Sequence, residues 1–263
     1  SSETCALDII GAELLREVEN GEVVVISDNG IESFFPFKTV CKRPCIFEYI
    51  YFARPDSIFG GLSIYECRKN FGHELARESP IKADVVVPIP DSGVPAALGF
   101  SEEARIPFAL GIIRNHYVGR TFIEPQQSSR DFGVKLKHNI NKQVVGGKNV
   151  VLVDDSIVRG TTSVKIVELM RQAGATQVHM KIASPPIKYP DFYGIDTPEK
   201  AQLLASLRTA GEMADFVGAD SLAFLSIDGL YRAMGHNEGR NPNKPAYLSL
   251  IHISEPTRQP TIA

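Results

Sequence analysis

Several features that would assign a sequence to a class at once are scarce in this 263-residue chain. It has four cysteines, of which only Cys41 and Cys45 lie close together, so no second pair completes a zinc site. Scattered cysteines without a framework are typical of a reducing compartment and predict a cytoplasmic protein. The apolar runs are too short to cross a bilayer, and the first residues lack the charged-then-apolar order of a signal peptide, so we expect no membrane association.

An excess of charge of one sign is also lacking. Lys and Arg total 28 against 31 Asp and Glu, which gives a formal net charge of -3. The basic stretch at residues 135–148 has no interleaved aromatic side chains, which favours a solvated face over a nucleic-acid surface. No helix-turn-helix pattern is visible. We therefore expect no nucleic-acid partner.

The most informative stretch that is present is VVLVDDSIVRGTTS, residues 150–163. Its four leading apolar residues suit a strand buried on both faces of a parallel sheet, and the apolar spacing from Val164 to Gly174 is helical. The residues between them join a strand's carboxyl end to a helix N-terminus, where free N–H groups and the helix dipole favour an anion. Gly160 allows a phosphate to approach the backbone, and the three hydroxyl residues after it add donors.

The two acids in this stretch need a different ligand, because carboxylates repel phosphate. Asp154 and Asp155 can accept hydrogen bonds from ribose hydroxyls or help to hold Mg²⁺, which prefers oxygen ligands. The run therefore predicts a divided site with acids for a sugar and a metal beside a Gly/Thr cradle for a phosphate. The alternative is a surface turn with a helix cap, and the acids placed directly before the cradle make it the weaker interpretation.

Two further segments carry chemistry. A second, largely apolar strand is expected at residues 84–89 and leads into PIPDSGVPAA, in which Asp91, Ser92 and Gly93 precede small residues that permit close packing. A plain packing turn is the alternative there. Residues 114–120 are basic and aromatic, and the polar run QQSSRD at 126–131 cannot build a core, which favours a mobile loop over a strand. A solvated loop without ligand contacts is the alternative for this segment.

Together these motifs resemble the type I phosphoribosyltransferases, and most closely the glutamine amidophosphoribosyltransferase family. The similarity extends over roughly residues 4–247 in the family's own order. It is carried by FEYIYFARPDS at 47–57, VVVPIPDSGVPAA at 85–97, RNHYVGRTFIEP at 114–125 and SPPIKYPDFYGIDTP at 184–198. The resemblance implies an enzyme that forms 5-phosphoribosylamine and pyrophosphate from phosphoribosyl pyrophosphate (PRPP) and glutamine-derived ammonia, the first committed step of purine biosynthesis.

The resemblance also implies a role for individual residues. Arg114, Tyr117 and Arg120 become catalytic candidates on a flexible loop that closes over PRPP. The pyrophosphate loop consists of Asp91, Ser92 and Gly93, and the Mg²⁺ neighbours are Ser92, Asp154 and Asp155. PRPP is held by Asp154, Asp155, Ser156, Ile157, Val158, Arg159, Gly160, Thr161 and Thr162.

Other implied partners are PRPP itself, ammonia, purine nucleotides as inhibitors and further copies of the chain in a homo-oligomer. Some family members carry an iron–sulfur cluster, whose ligands would map to Cys45, to the position of Asp191 and to a cysteine pair near the C-terminus. Asp191 replaces one ligand and no cysteine follows Cys67. We therefore expect no iron–sulfur cluster and a small, buried Cys45 side chain.

The expected fold is α/β, a type I phosphoribosyltransferase fold with a parallel sheet flanked by helices. Residues 1–38 are expected to be the C-terminal remnant of a glutaminase domain, with residues 23–27 as its last strand and Cys5 in its core. Residues 39–247 form the phosphoribosyltransferase domain with accessory helices. Residues 248–263 contain LSLIHISEPTR, which resembles a translated sequencing adapter and predicts a non-native, loosely attached tail. On this interpretation the chain would use free ammonia but not glutamine.

The predicted helices cover residues 64–78, 94–104, 162–173, 200–207 and 212–217, and the predicted strands cover 85–87, 107–113, 150–153 and 177–182. A strand and a last helix are expected in SLAFLSIDGLYRAM, residues 221–234. Two other functions remain open. One is a different PRPP-dependent transferase, which would need a hood for a base, and the other is a non-catalytic PRPP-binding regulator, which would need a DNA-binding element.

Overall fold

The computed structural model describes residues 1–38, 41–115, 138–190 and 199–248. In chain order its elements are α1 (Cys5–Ile9), β1 (Val23–Ser27), β2 (Gly30–Phe34), a π-helix (Glu48–Phe52), β3 (Ile58–Phe59), β4 (Leu62–Ser63), α2 (Ile64–Glu78), β5 (Val85–Pro88), α3 (Val94–Ala104), β6 (Ile112–Arg114), β7 (His138–Ile140), α4 (Lys142–Val145), β8 (Asn149–Asp154), α5 (Thr161–Gln172), β9 (Gln177–Ile182), a 3₁₀ helix (Lys200–Gln202), α6 (Leu204–Leu207), α7 (Ala210–Val217), β10 (Ser221–Phe224) and α8 (Ile227–Ala233). Among these residues no helix is long and apolar enough to cross a membrane.

Four of the strands form a parallel sheet in the order β10–β9–β8–β5. In the register of β5 and β8, Val85 pairs with Val150 and Pro88 with Val153, so the two strands end side by side. Every residue of β5 is buried, as are the four central residues of β8. Burial on both faces explains why these strands are continuous apolar runs, and it confirms the predicted parallel sheet.

Alternate residues of β5 and β8 enter two separate cores. Val151 and Val153 of β8 pack with apolar residues of α2, α3 and α8 on one face. Val150 and Leu152 pack on the other face with α5 and α7. Helices therefore cover both faces of the sheet, as the sequence predicts, and ligands can approach only at an edge.

Two predicted elements are broken. The expected strand at residues 107–113 becomes a short parallel contact, in which the Val86 N–H donates to Pro107 O (2.8 Å), and then β6, which pairs antiparallel with β7. Gly111 lies at the break, where a Cβ atom would be 2.7 Å from the Val87 side chain. The helix predicted at 200–207 splits into the 3₁₀ helix and α6, because Leu203 has extended backbone angles.

The N-terminal residues form a hairpin. The sequence predicts β1 as the last strand of this segment, but β2 follows and pairs with it across a two-residue turn that ends at Gly30, whose φ is +116°. Cys5 is buried, as predicted. Glu3 ties the segment to the rest of the chain, since its carboxylate accepts hydrogen bonds from the Arg54 N–H (2.7 Å) and the Ser57 hydroxyl (2.9 Å).

Leu248, the first residue of the predicted tail, is hydrogen-bonded to the segment around Cys45. The Leu248 N–H donates to Pro44 O (3.0 Å), and Leu248 O accepts from the Ile46 N–H (3.1 Å). This short bridge fixes Leu248, whereas residues 249–263 lie outside the described part of the chain. Cys45, beside the bridge, is only partly buried, so the expectation of a buried side chain at that position was wrong. The backbone pairing with Leu248 places Cys45 at the margin of the core rather than inside it.

Candidate functional site

The two predicted ligand loops lie side by side because they follow neighbouring parallel strands. The Ile89 N–H, just after β5, donates to Val153 O in β8 (2.9 Å). Gly93 makes the closest approach, since a Cβ atom there would lie 2.5 Å from Val153 O and 3.3 Å from the Asp154 Cα atom. The structure thus brings Asp91, Ser92 and Gly93 to the same sheet edge as the acid pair, and the peptide between Pro90 and Asp91 is cis.

The acid pair is held by its own neighbours. Asp154 ends β8, and one of its carboxylate oxygens accepts the Asp155 N–H (3.0 Å). The Ser156 hydroxyl donates to the buried Asp155 carboxylate (2.6 Å). Burial, together with the adjacent Asp155 charge, raises the pKa of Asp154 well above its ordinary value. Two carboxylates in this position attract hydroxyl donors or a cation.

The segment after the acids is a backbone cradle. Gly160 is the N-cap of α5 with a φ of +76°, and no side chain caps this helix. Within the described ranges, the backbone N–H groups of residues 156–162 donate to no protein acceptor. Thr161 and Thr162 are exposed at the first turn. Uncapped amides at the start of a 12-residue helix favour a bound anion, such as a phosphate.

Side chains within the predicted PRPP segment do not all face this cradle. Ile157 is buried in the core under α5, and Val158 packs against the opposite core, so only their backbone groups are available to a ligand. Arg159 is exposed, and its Nε atom donates to the Gln202 side chain (3.1 Å). Ser156 remains beside the acid pair.

Of the three predicted flexible-loop residues, only Arg114 lies in the described part of the chain. It ends β6, and its guanidinium forms an ion pair with Asp91 of the predicted pyrophosphate loop. The Nε atom of Arg114 is buried and has no hydrogen-bond partner among the described residues. Tyr117 and Arg120 fall within residues 116–137, outside the described residues. Arg114 therefore faces the same edge as the acid pair and the cradle.

One charged residue near the site was missed by sequence reasoning. Arg68 of α2 is buried and donates to the backbone oxygens of Ala53 (2.6 Å) and Tyr49 (2.9 Å) at the end of the π-helix. Burial lowers the pKa of Arg68, while the charge of Asp155 opposes that shift. Its only sequence signal is a charge among the apolar positions of a helix, which is too common to be informative.

The donor set also fits a divalent metal. No group of three or more His, Cys, Asp and Glu side chains in the described residues could hold an ion alone. The oxygens of Asp154, Asp155 and Ser92 are nevertheless hard donors at one edge. Mg²⁺ is commonly bound by one or two carboxylates while water and substrate phosphates complete its shell. The residues present therefore fit Mg²⁺ that binds together with a phosphorylated substrate.

Comparison with known proteins agrees with this geometry. Residues 64–184 match the family model described as a phosphoribosyl transferase domain. The match, the parallel sheet and its paired loops define a type I phosphoribosyltransferase domain within the chain.

Relatives narrow the class. The amidophosphoribosyltransferase of Rhizobium etli is 62% identical over 98% of this chain and 53% of the relative. The solved glutamine PRPP amidotransferase of Bacillus subtilis, in complex with ADP and GMP, is 52% identical with a TM-score of 0.82, over 89% of this chain and 51% of its own. A structure described as the allosteric regulatory enzyme of purine biosynthesis is 50% identical with a TM-score of 0.84, over 93% and 52%. Over 98% of its length the chain is therefore similar to an amidophosphoribosyltransferase, and it spans about half the length of these relatives.

Proposed function

We propose that this chain catalyses the phosphoribosyl-transfer reaction of an amidophosphoribosyltransferase. Ammonia attacks the anomeric carbon of PRPP, the bond from that carbon to the pyrophosphate oxygen breaks, and pyrophosphate leaves with the electron pair. Loss of a proton from nitrogen gives 5-phosphoribosylamine. The proposal rests on one observation: the acid pair, the uncapped cradle and the Gly93 loop lie together at the carboxyl ends of two adjacent parallel strands.

Each part of this edge suits one part of PRPP. The carboxylates of Asp154 and Asp155 can accept hydrogen bonds from the ribose hydroxyls. The free N–H groups of residues 156–162 can hold the 5′-phosphate, and the Asp91–Gly93 loop with Arg114 can take the pyrophosphate. When bound, Mg²⁺ held by Asp154, Asp155 and Ser92 would neutralise charge on the leaving pyrophosphate.

No side chain of the protein needs to act as a nucleophile in this reaction. The chain orients the ribose carbon, excludes water and stabilises the negative charge that develops on the leaving group. A protein that only orients the substrate and stabilises charge agrees with a site built largely from backbone amides and carboxylates. It also explains why the sequence contains no conspicuous Ser/His or Cys/His pair.

The proposal extends to partners and location. Purine nucleotides as inhibitors are supported by the solved relative that holds ADP and GMP. Homo-oligomer formation and a cytoplasmic location are part of the same proposal. We also assign residues 1–38 to a neighbouring glutaminase lobe, because most exposed large apolar side chains of the described residues lie there. The comparisons do not favour a base-adding transferase or a non-catalytic regulator.

The test is Mg²⁺-dependent release of pyrophosphate from PRPP, with ammonium or glutamine as the nitrogen source. We expect turnover with ammonium and none after the metal is chelated. Asp155→Asn should abolish turnover. Asp220→Asn, at the amino ends of the strands and away from the site, should leave turnover unchanged. A folded chain that binds PRPP but releases no pyrophosphate with ammonium would refute the proposed activity.

A further inference from the structure

The predicted phosphate loop, residues 156–162, contacts residues that lie outside the matched domain, which ends at residue 184. We call these residues, 202–216, the backing segment. The Leu204 N–H donates to Val158 O (2.9 Å), and the Gln202 side chain accepts from Arg159 Nε (3.1 Å). Two consecutive loop residues are thus hydrogen-bonded to one short stretch about 44 residues further along the chain.

The third contact is at Gly160. This residue is buried, and a Cβ atom there would lie 2.6 Å from Leu204 Cδ2 and 3.3 Å from Phe216 Cε1. The backing segment therefore packs directly against the glycine backbone at the start of α5. Leu204 is 3% exposed and shares its core with Ile157, so it contacts the loop and is itself anchored.

The loop has few constraints of its own. In the described residues, the N–H groups of residues 156–162 make no hydrogen bonds to protein acceptors. A loop without internal hydrogen bonds loses conformational entropy when a ligand orders it, unless other contacts have already fixed it. Besides the burial of Ile157 and the packing of Val158, the contacts from Gln202, Leu204 and Phe216 supply this order.

We propose that Leu204 is a positioning residue for the phosphate loop. Its side chain lies against Gly160 and its N–H holds Val158, so the amides of residues 156–162 point to one place before the 5′-phosphate arrives. The inference rests on the proposed function, because it assigns that phosphate to the loop. Leu75 of α2 provides a matched control, since it is also fully buried but packs in the opposite core and lies outside the loop and the backing segment.

The experiment compares Leu204→Ala, Leu204→Met and Leu75→Ala by calorimetric titration of the full chain. The ligands are Mg²⁺–PRPP, ribose 5-phosphate, which retains the 5′-phosphate, and pyrophosphate, which lacks it. Leu204→Ala should bind PRPP and ribose 5-phosphate about tenfold more weakly while pyrophosphate affinity is unchanged. Leu75→Ala should lower the denaturant midpoint by a similar amount but keep wild-type affinities, and Leu204→Met should restore most of the binding.

If Leu204→Ala does not fold, Gln202→Ala decides, because this exposed substitution removes only the Arg159 contact. We expect it to weaken ribose 5-phosphate binding about threefold, and an unchanged affinity would overturn the positioning role. Equal affinities in Leu204→Ala and Leu75→Ala would also overturn it. A wild-type chain that binds neither PRPP nor ribose 5-phosphate overturns instead the proposed function, so the two failures are distinguishable.

Discussion

Replacing Gly93 by Ala tests whether the two ligand loops must touch. The residue has a φ of −75°, which alanine adopts freely, so backbone strain does not contribute. The added Cβ atom would lie 2.5 Å from Val153 O and 2.8 Å from Ile89 O. An ordinary contact is about 3.4 Å or longer, so the loop must retreat by about 1 Å from the strand that carries the acid pair.

Two consequences of different size follow from this displacement. Forcing one methyl group against two backbone oxygens should cost about 1–3 kcal/mol of unfolding free energy. A shift of about 1 Å between the pyrophosphate loop and the acid pair should lower turnover about a hundredfold. Urea unfolding followed by circular dichroism measures the first effect, and pyrophosphate release from PRPP with ammonium measures the second.

Gly211→Ala is the matched control. Gly211 lies in α7, and a Cβ atom there meets nothing within 4 Å. This variant should gain up to about 1 kcal/mol in stability from the better helix propensity of alanine, with unchanged turnover. If Gly93→Ala behaves like Gly211→Ala in both assays, the close approach of the two loops is not a requirement of the site.

Three further outcomes are expected. Burial and the neighbouring Asp155 charge raise the pKa of Asp154, so the folded chain binds the Asp154 proton more tightly than the unfolded chain, and ionisation of Asp154 lowers stability as pH rises. Asp154→Asn should therefore raise the unfolding free energy by about 1 kcal/mol at neutral pH, and this gain should vanish in acid. Turnover of the same variant should fall at least about a hundredfold. Burial lowers the pKa of Lys181 from 10.5 to about 8, so between these pH values the unfolded chain binds more protons than the folded chain. The difference in unfolding free energy between Lys181→Met and the wild type, measured in urea, should therefore shrink by up to about 3 kcal/mol from pH 8 to pH 10.5. A difference that does not change with pH would contradict the lowered pKa. Asp91→Asn should free the Arg114 guanidinium and tighten Mg²⁺–PRPP binding a few-fold, about 1 kcal/mol. Asp220→Asn, which removes the partner of Arg171, should leave the affinity unchanged. Weaker binding in Asp91→Asn would mean that the ion pair orients Arg114 instead.

The regular elements could be predicted because their signals are local. The helices at residues 64–78 and 94–104 and the strand at 177–182 have the predicted bounds. Ser63 accepts the Glu66 N–H at the start of α2, a cap that is visible in the sequence. The acid pair and the Gly93 loop could also be placed at one edge, because carboxyl ends of parallel strands meet there.

The remaining features depend on residues that are distant in sequence. Nothing near Arg114 indicates that its partner is Asp91, 23 residues earlier. Nothing in residues 48–53 indicates that Arg68 of a separate helix donates to the carbonyl oxygens of Tyr49 in the π-helix and of Ala53 directly after it. A helical spacing at 200–207 cannot reveal that Leu203 and Leu204 enter opposite cores, which is what breaks that helix. Local patterns determine the type of an element, whereas packing determines where it bends and what it touches.

Several polar groups without protein partners gather at the predicted binding edge. Burial raises the pKa of Asp154, the N–H groups of residues 156–162 donate to no acceptor in the described chain, and the Arg114 Nε atom is buried without a partner among the described residues. The buried Asp154 charge and the buried Arg114 Nε atom lower the stability of the chain, since burial removes their hydration. The three sets of groups are complementary to different parts of one molecule: hydroxyls, a terminal phosphate and a diphosphate. A single ligand that satisfies all three should therefore raise the unfolding free energy far more than pyrophosphate or ribose 5-phosphate alone, because stabilisation by a ligand depends on its affinity for the folded state.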